Sequence, residues 1–493
     1  MPVDSIDFPF WLRFAHFINL IFITLLIRSG IEILSALPKL YFNDDARVGS
    51  EWIKFTRKKL PRDKLWTSLD EEESFPSWIA LPGHKNLGLG RHWHFFSMIF
   101  WFANGIAYYI LLFTSGEWIR LIPTSWSIFP EAFNIALQYA SFQLPSEPIG
   151  GGAIYNPLQQ LTYFGVVFLL GPFMIATGAA MSPAIAAQFP WYQKIFRGRQ
   201  VARSLHFLGM LAFVLFIIIH IIMVTVEHFP ENMGNIVLGN EQGISLGIAI
   251  GLFALLVISV IIVHVWATGI SLKKPRLTQN MLDIIIMPIK QALFSKAESK
   301  QQFHKSEVSP FFRINGLPPD TEEYKELVKN NFTNYNLKVY GLVERPSEFS
   351  LSDLYSMHKQ TQITEHFCIQ GWTAIAEWIG VSMTDIIELC KPTPNAQYVV
   401  FRSYQITNGD EFYEVIDLEL AKHTQTILAY EMNSESLPIP HGAPLRLRAE
   451  TQLGYKMVKW IKSIEFVSDY KNIGMGQGGH REDHMYYSRG AGI

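Results

Sequence analysis

The chain has 493 residues, room for two or three domains. Hydrophobic residues make up 49% and charged residues 17%, where a soluble domain usually carries about 25% charge. A net charge of −2 leaves no basic excess for a nucleic-acid partner, and two cysteines, Cys368 and Cys390, exclude both a disulfide framework and a four-cysteine iron–sulfur cluster.

The charge deficit is concentrated in residues 1–270. Met1 to Phe10 has no basic n-region and no twin-arginine pair, so no cleavable leader is expected. Five stretches, roughly 10–34, 92–114, 160–182, 204–226 and 244–268, approach or exceed the ~20 apolar residues that cross a bilayer. The third contains Gly171-Pro172, which spanning helices tolerate. Trp101, Trp118, Trp191 and Trp266 read as interfacial anchors.

Lysine and arginine bias sets the orientation. The first connection has Arg57, Lys58, Lys59, Arg62 and Lys64, and it also carries the acidic run Asp70 to Glu73. The third has Lys194, Arg197, Arg199 and Arg203, and Lys273, Lys274 and Arg276 follow the fifth span. The second has only Arg120, and the fourth is marked by Glu227, Glu231 and Glu241. This alternation predicts a multi-pass membrane protein with its N-terminus outside and its C-terminal half in the cytoplasm.

Ionisable residues inside a membrane are costly and usually functional. His206 and His220 share the fourth span. Their separation of 14 residues is about 1400° of helix rotation, within about 40° of the same face, with a rise of about 21 Å. One helix thus presents one imidazole near each membrane surface. Span direction places His16 at the depth of His220 and His94 at the depth of His206, so two bis-histidine haems are expected. His92 competes with His94; His264 and His228 are not expected to be ligands. A proton path or plain helix contacts is the alternative use for these rings.

Arg13-x-x-His16, Arg91-x-x-His94 and His206-x13-His220 resemble the di-haem cytochrome b subunits of hydrogenases and formate dehydrogenases, over roughly residues 8–226. The resemblance implies two haem b groups and electron exchange with a membrane quinone. The fifth span and the 37–90 insertion depart from that four-helix pattern, and such subunits usually begin inside the cell.

Residues 271–308 read as a basic, partly amphipathic linker, with Met281 to Phe294 lying on the membrane surface and broken at Pro288. From Ser309 an α+β domain is expected. Strands are predicted over Asn336–Leu342, Gln397–Ser403, Thr426–Glu431, Pro444–Leu447 and Ser463–Val467. Short helices are predicted over Ser352–Met357 and Met383–Leu389, the latter capped by Ser382 with Asp385 three residues on. The divisions are therefore 1–270, 271–308 and 309–493. The tail Gly474–Ile493, rich in Gly, His and Tyr, reads first as disordered and otherwise as a cap over the site or a contact to the membrane half.

The chemistry of this half centres on Cys368 in His366-Phe-Cys-Ile-Gln-Gly-Trp372. A thiolate suits a high-valent metal held partly by sulfur, although a lone cysteine is more often a small core residue. Cys390 has only that second reading. His441-Gly-Ala-Pro-Leu-Arg446 and Gly454-Tyr-Lys-Met-Val-Lys459-Trp460 add one guanidinium fork and two ammonium charges, which suit a phosphate or a solvated strand face.

Cys368 in C-x-x-G-W, then His441-Gly-x-Pro-x-Arg446, then Gly454-x-Lys456-x-x-Lys459-Trp460, resemble in order the molybdopterin-binding domain of sulfite oxidases and of the bacterial methionine-sulfoxide reductase catalytic subunit, over about residues 309–470. The likeness implies that Cys368 ligates molybdenum. It also implies that Asn315, Ser403, His441, Arg446, Gly454, Tyr455, Lys456 and Lys459 contact the pterin or its phosphate. Sulfite oxidases often place arginine two residues before the metal cysteine; here His366 stands there, which argues against sulfite as the substrate.

The expectation is a membrane molybdenum-cofactor oxidoreductase. It would exchange electrons with quinone through two b-type haems and transfer an oxo group to or from a small S-oxide, N-oxide or oxyanion. The alternative is a transmembrane haem conduit or sensor carrying a cofactor-free binding module, which would have no need of Cys368 together with Lys456 and Lys459.

Overall fold

A computed structural model describes residues 8–59, 64–145, 155–239, 244–294 and 300–493. The leader reading of residues 1–7, Arg62 and Glu241 of the charge tally, and linker residues 295–299 lie outside the described residues. The chain forms two compact units. One comprises Met1–Gly30, Trp93–Ala180 and Ala202–Lys273; the other comprises Ile31–His92, Met181–Val201 and Lys274–Ile493.

Among the described residues five helices are long and apolar enough to cross a membrane: Phe10–Ala36, Leu87–Thr114, Pro157–Ala180, Arg199–Val226 and Leu246–Lys273. They are called here the first to fifth spans. All run past the sequence-predicted limits on at least one side, because charged and hydroxylic residues continue the helix beyond the apolar run. The third starts at a capping box, in which Gln159 N–H donates to Asn156 Oδ1 at 2.9 Å, with Pro157 in the first turn where its missing N–H costs nothing. Its Gly165–Leu170 stretch is π-helical just ahead of Pro172, which removes one rung of the ladder and forces the adjustment. A helix over Ile128–Ala140, between the second and third spans, was not anticipated.

Half-buried polar side chains tie the spans of the first unit together. Trp101 Nε1 donates to Asn19 Oδ1 at 2.6 Å, Asn104 Nδ2 to Ala15 O at 3.0 Å, and Tyr109 OH to Val167 O at 2.6 Å. Trp101 thus serves a helix–helix bond rather than an interfacial anchor.

Among the described residues the second unit carries twelve strands. In chain order they are β1 (Lys39–Leu40), β2 (Ile53–Lys54), β3 (Asn336–Gly341), β4 (Ser347–Ser350), β5 (Lys359–Phe367), β6 (Thr373–Ser382), β7 (Tyr398–Thr407), β8 (Asp410–Asp417), β9 (Thr426–Met432), β10 (Glu435–Ser436), β11 (Arg446–Ala449) and β12 (Ile461–Val467). One five-stranded sheet runs β10-β9-β6-β5 with β11 also on β9, and the other runs β4-β3-β12-β7-β8. Leu337 and Val339 of β3, Val399 and Phe401 of β7, and Ile464 and Phe466 of β12 alternate inward to fill one apolar core with Ile386 and Trp460. The five predicted strands correspond to β3, β7, β9, β11 and β12. The predicted helices are Leu351–Ser356 and Met383–Cys390, and Ser382 caps the latter by accepting from Thr384 N–H at 3.1 Å. The β5–β6 hairpin and β8 were not anticipated.

Two expectations are corrected. The linker helix runs Pro275–Phe294 straight through Pro288, with Thr278, Gln279, Leu282 and Ile286 buried and Leu277, Met281, Ile284 and Leu293 exposed. The tail is ordered. It contains a helix over His480–Met485, buries Tyr487, Ala491 and Ile493, and closes on the domain through Leu453 N–H to Ala491 O and Ile493 N–H to Thr451 O, both 2.9 Å. Arg276 Nη2 donates to Glu482 O and Asp483 O, and Gln279 Nε2 to Tyr487 O, so the linker helix fixes the tail from the other side.

Candidate redox sites

In the first unit the four expected histidines meet as two pairs. The His16 and His220 ring centroids are 6.3 Å apart, and those of His94 and His206 are 6.5 Å apart. Two metal–imidazole bonds of about 2 Å in line, plus the two ring radii, make roughly this separation. The competing histidines are committed elsewhere. His264 takes Arg28 Nη1 at Nδ1 (2.7 Å) and reaches Thr24 Oγ1 through Nε2 (2.9 Å). His92 reaches Gly88 O through Nδ1 (2.7 Å) and Asp283 through Nε2 (3.2 Å). With both nitrogens bonded, neither ring has one left for a metal. Arg13 donates to Phe8 O and Val237 O, a structural use.

In the second unit Cys368 opens the tight turn that joins β5 to β6. Cys368 N–H donates to Trp372 O and Gly371 N–H to Cys368 O, and Gly371 takes φ +109°, a conformation that favours glycine. Cys368 is 2% exposed, and its sulfur has Asn315 Nδ2 at 3.7 Å and Gln370 Oε1 at 3.6 Å. Gln370 is itself held by Trp372 Nε1 and by Glu72. Burial pushes the Cys368 thiol up to about 12, so without a metal it stays protonated.

From Asn315 the contacts lead to the predicted basic cluster. Lys459 Nζ donates to Asn315 O at 2.5 Å and Pro440 O at 3.0 Å, and Arg446 Nη1 to His441 O at 2.9 Å. Arg446 and Arg448 both lie over the Trp378 ring, 4.7 and 4.3 Å from its centroid. Arg448 is neutralised by a two-pronged pair with Glu450 and donates to His366 Nδ1 at 3.0 Å. Arg446 and Lys459 have carbonyl acceptors but no carboxylate partner among the described residues, and Arg446 Nε is buried without any. Burial, then the neighbouring cations, hold both well below their ordinary range. The same causes lower His441 to about 3 and His366 well below 6.5, so both rings are neutral.

Asn315, Cys368, His441, Arg446 and Lys459 are therefore brought together. Ser403 joins them only through backbone, donating to Lys459 O at 2.8 Å. Gly454 lies under His366, where a Cβ would stand 2.2 Å from the ring, too close for any side chain. Tyr455 donates to Ser488 O of the tail and packs on Tyr487 at 5.0 Å. Lys456 turns away, pairing with Glu414 at 3.0 Å and with Glu482, and donating to Gly478 O at 2.8 Å. Burial pushes Glu414 well above its ordinary value, and Glu482 adds to it.

Removing one partner of a buried ion cluster leaves uncompensated charge and costs about 3–5 kcal/mol. Lys456→Met should therefore lower the melting temperature of this domain in scanning calorimetry of the full chain. The penalty should be largest at high pH and shrink as pH falls, because protonating Glu414, whose carboxyl burial already pushes up, removes its uncompensated charge. No change at any pH contradicts this.

Sequence reasoning singled out His366 only as a departure from arginine, and it missed the Arg448–Glu450 pair and the role of Gln370. It also missed the start of the fourth span as part of this site. Gln200 Nε2 donates to Gly371 O of the cysteine turn at 2.8 Å, and the Arg199 guanidinium lies 5.7 Å from the ring of Phe367, the residue before Cys368. Arg199 is 5% exposed, and its Nη1 has no partner among the described residues.

Residues 7–236 match the prokaryotic cytochrome b561 family, and residues 325–473 match the oxidoreductase molybdopterin-binding domain. YedZ1 of Azospira oryzae, assigned by name as a subunit of a protein-methionine-sulfoxide reductase, is 31% identical over 194 residues, covering 39% of this chain and 68% of that protein. The chain belongs to the prokaryotic cytochrome b561 family, with a molybdopterin-binding oxidoreductase domain fused behind it. That domain is similar to the protein-methionine-sulfoxide reductase catalytic subunit MsrP of Campylobacter jejuni, 28% identical over 30% of this chain and 55% of MsrP. The MsrP of Xanthomonas campestris is 30% identical over 27% of this chain and 45% of that protein. The chain thus spans about half the length of the MsrP relatives. The sulfane dehydrogenase SoxCD of Paracoccus pantotrophus aligns over 30% of this chain and 40% of its own at 20% identity, with a TM-score of 0.26, too low to carry an argument. The protein is a multi-pass membrane oxidoreductase that uses molybdopterin, fused to a cytochrome b domain. The cofactor-free module is set aside by the molybdopterin match.

The residues fit the implied groups. A buried guanidinium and a half-buried ammonium, neither ion-paired to a carboxylate among the described residues, call for an anion, as the phosphate end of a pterin cofactor supplies. A buried sulfur with an amide beside it is a suitable metal donor, and two facing imidazole pairs suit haem iron.

Proposed function

We propose that the protein takes electrons from a membrane quinol and reduces a small S-oxide or N-oxide, a sulfoxide before the others. The observation that carries the reading is Cys368 at the tip of a hairpin turn, joined through Asn315 to half-buried Lys459 and, beside it, buried Arg446, neither of which is ion-paired to a carboxylate among the described residues. The names of the YedZ1 and MsrP relatives support a sulfoxide substrate, and the absence of arginine at position 366 argues against sulfite.

Molybdenum held by Cys368 would supply two-electron oxo transfer, and haem b held by His16/His220 and His94/His206 would supply one-electron relay. The chain's residues do the rest. Lys459 and Arg446 bind the anionic end of the pterin, with His441 as neutral lining. Asn315 points its amide N–H at the sulfur, while the Gln370–Trp372 bond fixes the turn. Arg199, anchored through Nε to Met181 O at 3.0 Å, has a free Nη1 to offer an oxygen of the substrate. Gly454 keeps the floor under His366 open. Reduction breaks one S–O bond, consumes two electrons and two protons, and releases water; one quinol supplies two of each. Tethering both cofactor domains in one chain raises their effective concentration. Charge bias favours the cytoplasmic face for the catalytic domain, and the exposed Leu277, Met281 and Ile284 of the linker helix favour contact with lipid. The functional divisions are kept at 1–270, 271–308 and 309–493.

The test is anaerobic mixing of the reduced full-length protein with methionine sulfoxide, a trialkylamine N-oxide and nitrate, and of the oxidised protein with sulfite. Reoxidation of haem by the sulfoxide is expected. Reduction of haem by sulfite, with no oxide reoxidising it, reverses the proposed direction. Lys459→Met should weaken cofactor affinity by about 10–100-fold, the usual scale for a supporting contact at a metal site, and so lower the molybdenum content of the purified protein while haem content stays the same. Unchanged molybdenum would remove Lys459 from the cofactor site.

A further inference from the structure

Two dipeptides on different helices treat two different imidazoles alike. Ser29-Gly30 lies in the last turns of the first span, and Thr177-Gly178 in the last turns of the third. Ser29 Oγ is 3.1 Å from His94 Nδ1, and Thr177 Oγ1 is 2.9 Å from His206 Nδ1. The glycine that follows lies along the same ring. A Cβ on Gly30 would stand 3.6 Å from His94 Cε1, and one on Gly178 3.5 Å from His206 Cε1. Both hydroxyl residues are fully buried.

The direction of these bonds follows from the hydroxyl hydrogen. Ser29 Oγ donates to Leu25 O at 2.8 Å, and Thr177 Oγ1 to Phe173 O at 2.8 Å. A hydroxyl has a single hydrogen. With it committed one turn back, the oxygen can only accept from the ring. Nδ1 then carries the proton of the neutral imidazole, and the lone pair sits on Nε2. The His16/His220 pair lacks this arrangement: among the described residues those rings meet aromatic neighbours, with Phe17, Tyr163 and Phe216 at 5.8, 6.0 and 5.5 Å.

We propose that Ser29 and Thr177 are positioning residues that hold His94 and His206 as Nδ1–H tautomers with Nε2 aimed at haem iron, and that they set this haem at a lower potential than the one between His16 and His220. The proposal rests on the bis-histidine reading above. A ligand imidazole whose second nitrogen donates a hydrogen bond is more basic, and a more basic ligand favours the oxidised metal. A hydroxyl that only bonds back to its own helix would have no such effect, and the potential separates the two cases.

The experiment is a redox titration of the purified full-length protein, following the haem absorption bands, in wild type, Ser29→Ala, Thr177→Val and the double variant. Two midpoints are expected in wild type. In the double variant the lower one should move positive by roughly tenfold in its one-electron reduction constant, or ~59 mV, while the other stays. Two haems per chain with neither midpoint moved would overturn the proposal and leave the two-haem reading intact. A wild type that titrates as one haem would instead remove the reading on which it rests. Should the double variant lose a haem, Ser29→Thr with Thr177→Ser decides the matter. Retention of both haems at near-native midpoints supports the hydroxyl role, and loss of haem there as well overturns it.

Discussion

Cys368→Ser should bring sulfoxide reduction to background while both haems keep their number and spectra. Losing an outer contact to a metal typically costs about 10–100-fold, so losing the ligand itself should exceed that. The haem signal should survive because Cys368 and the four histidines belong to different compact units, each with its own packing. Serine keeps the volume at a position that is 2% exposed, so misfolding is not the expected route to inactivity. The measurement is anaerobic reoxidation of reduced haem by methionine sulfoxide, alongside haem content. Reoxidation at the wild-type rate would show that the sulfur is a core residue, as Cys390 is. Loss of haem would show that the two units do not fold independently.

Single substitutions of the paired histidines should each remove about one of two haems per chain. His220→Ala should cost the haem shared with His16, and His206→Ala the one shared with His94. His92→Ala should retain both, since that ring is already held by Gly88 and Asp283. Haem content per chain, read as the pyridine adduct, distinguishes these outcomes. An unchanged count in His220→Ala contradicts the pairing, and loss of haem in His92→Ala contradicts the choice between His92 and His94.

The membrane half was legible because helical geometry alone relates His206 to His220: a 14-residue spacing returns to one face, and both rings meet the partners that depth had chosen. His92 and His94 could not be separated in the sequence, because both lie at the helix start and only the contacts of His92 with Gly88 and Asp283 distinguish them. In the other half, strands with alternating apolar residues, such as β3 and β12, were found at nearly their true limits. The hairpin that carries Cys368 was not. Lys359–Phe367 alternates with Gln, Thr and His rather than apolar residues, and Thr373–Ser382 is buried on both faces and so shows no period of two. Gly371 followed by the β-branched and aromatic run after it was the available signal. Lys456 and Lys459 look alike as charges three residues apart, but long-range partners separate them: the tail supplies Glu482 to one, and the Asn315 loop supplies only carbonyls to the other. The tail's order was invisible for the same reason, since its polar composition says nothing of Leu453 and Thr451, to which it bonds.

The central claim is that iron porphyrin in the membrane half and a sulfur-bound molybdenum in the fused domain belong to one protein. Metal and haem analysis of the purified full-length chain tests it most directly. The account predicts one molybdenum and two haem b per chain; haem without molybdenum, or molybdenum without haem, would contradict it.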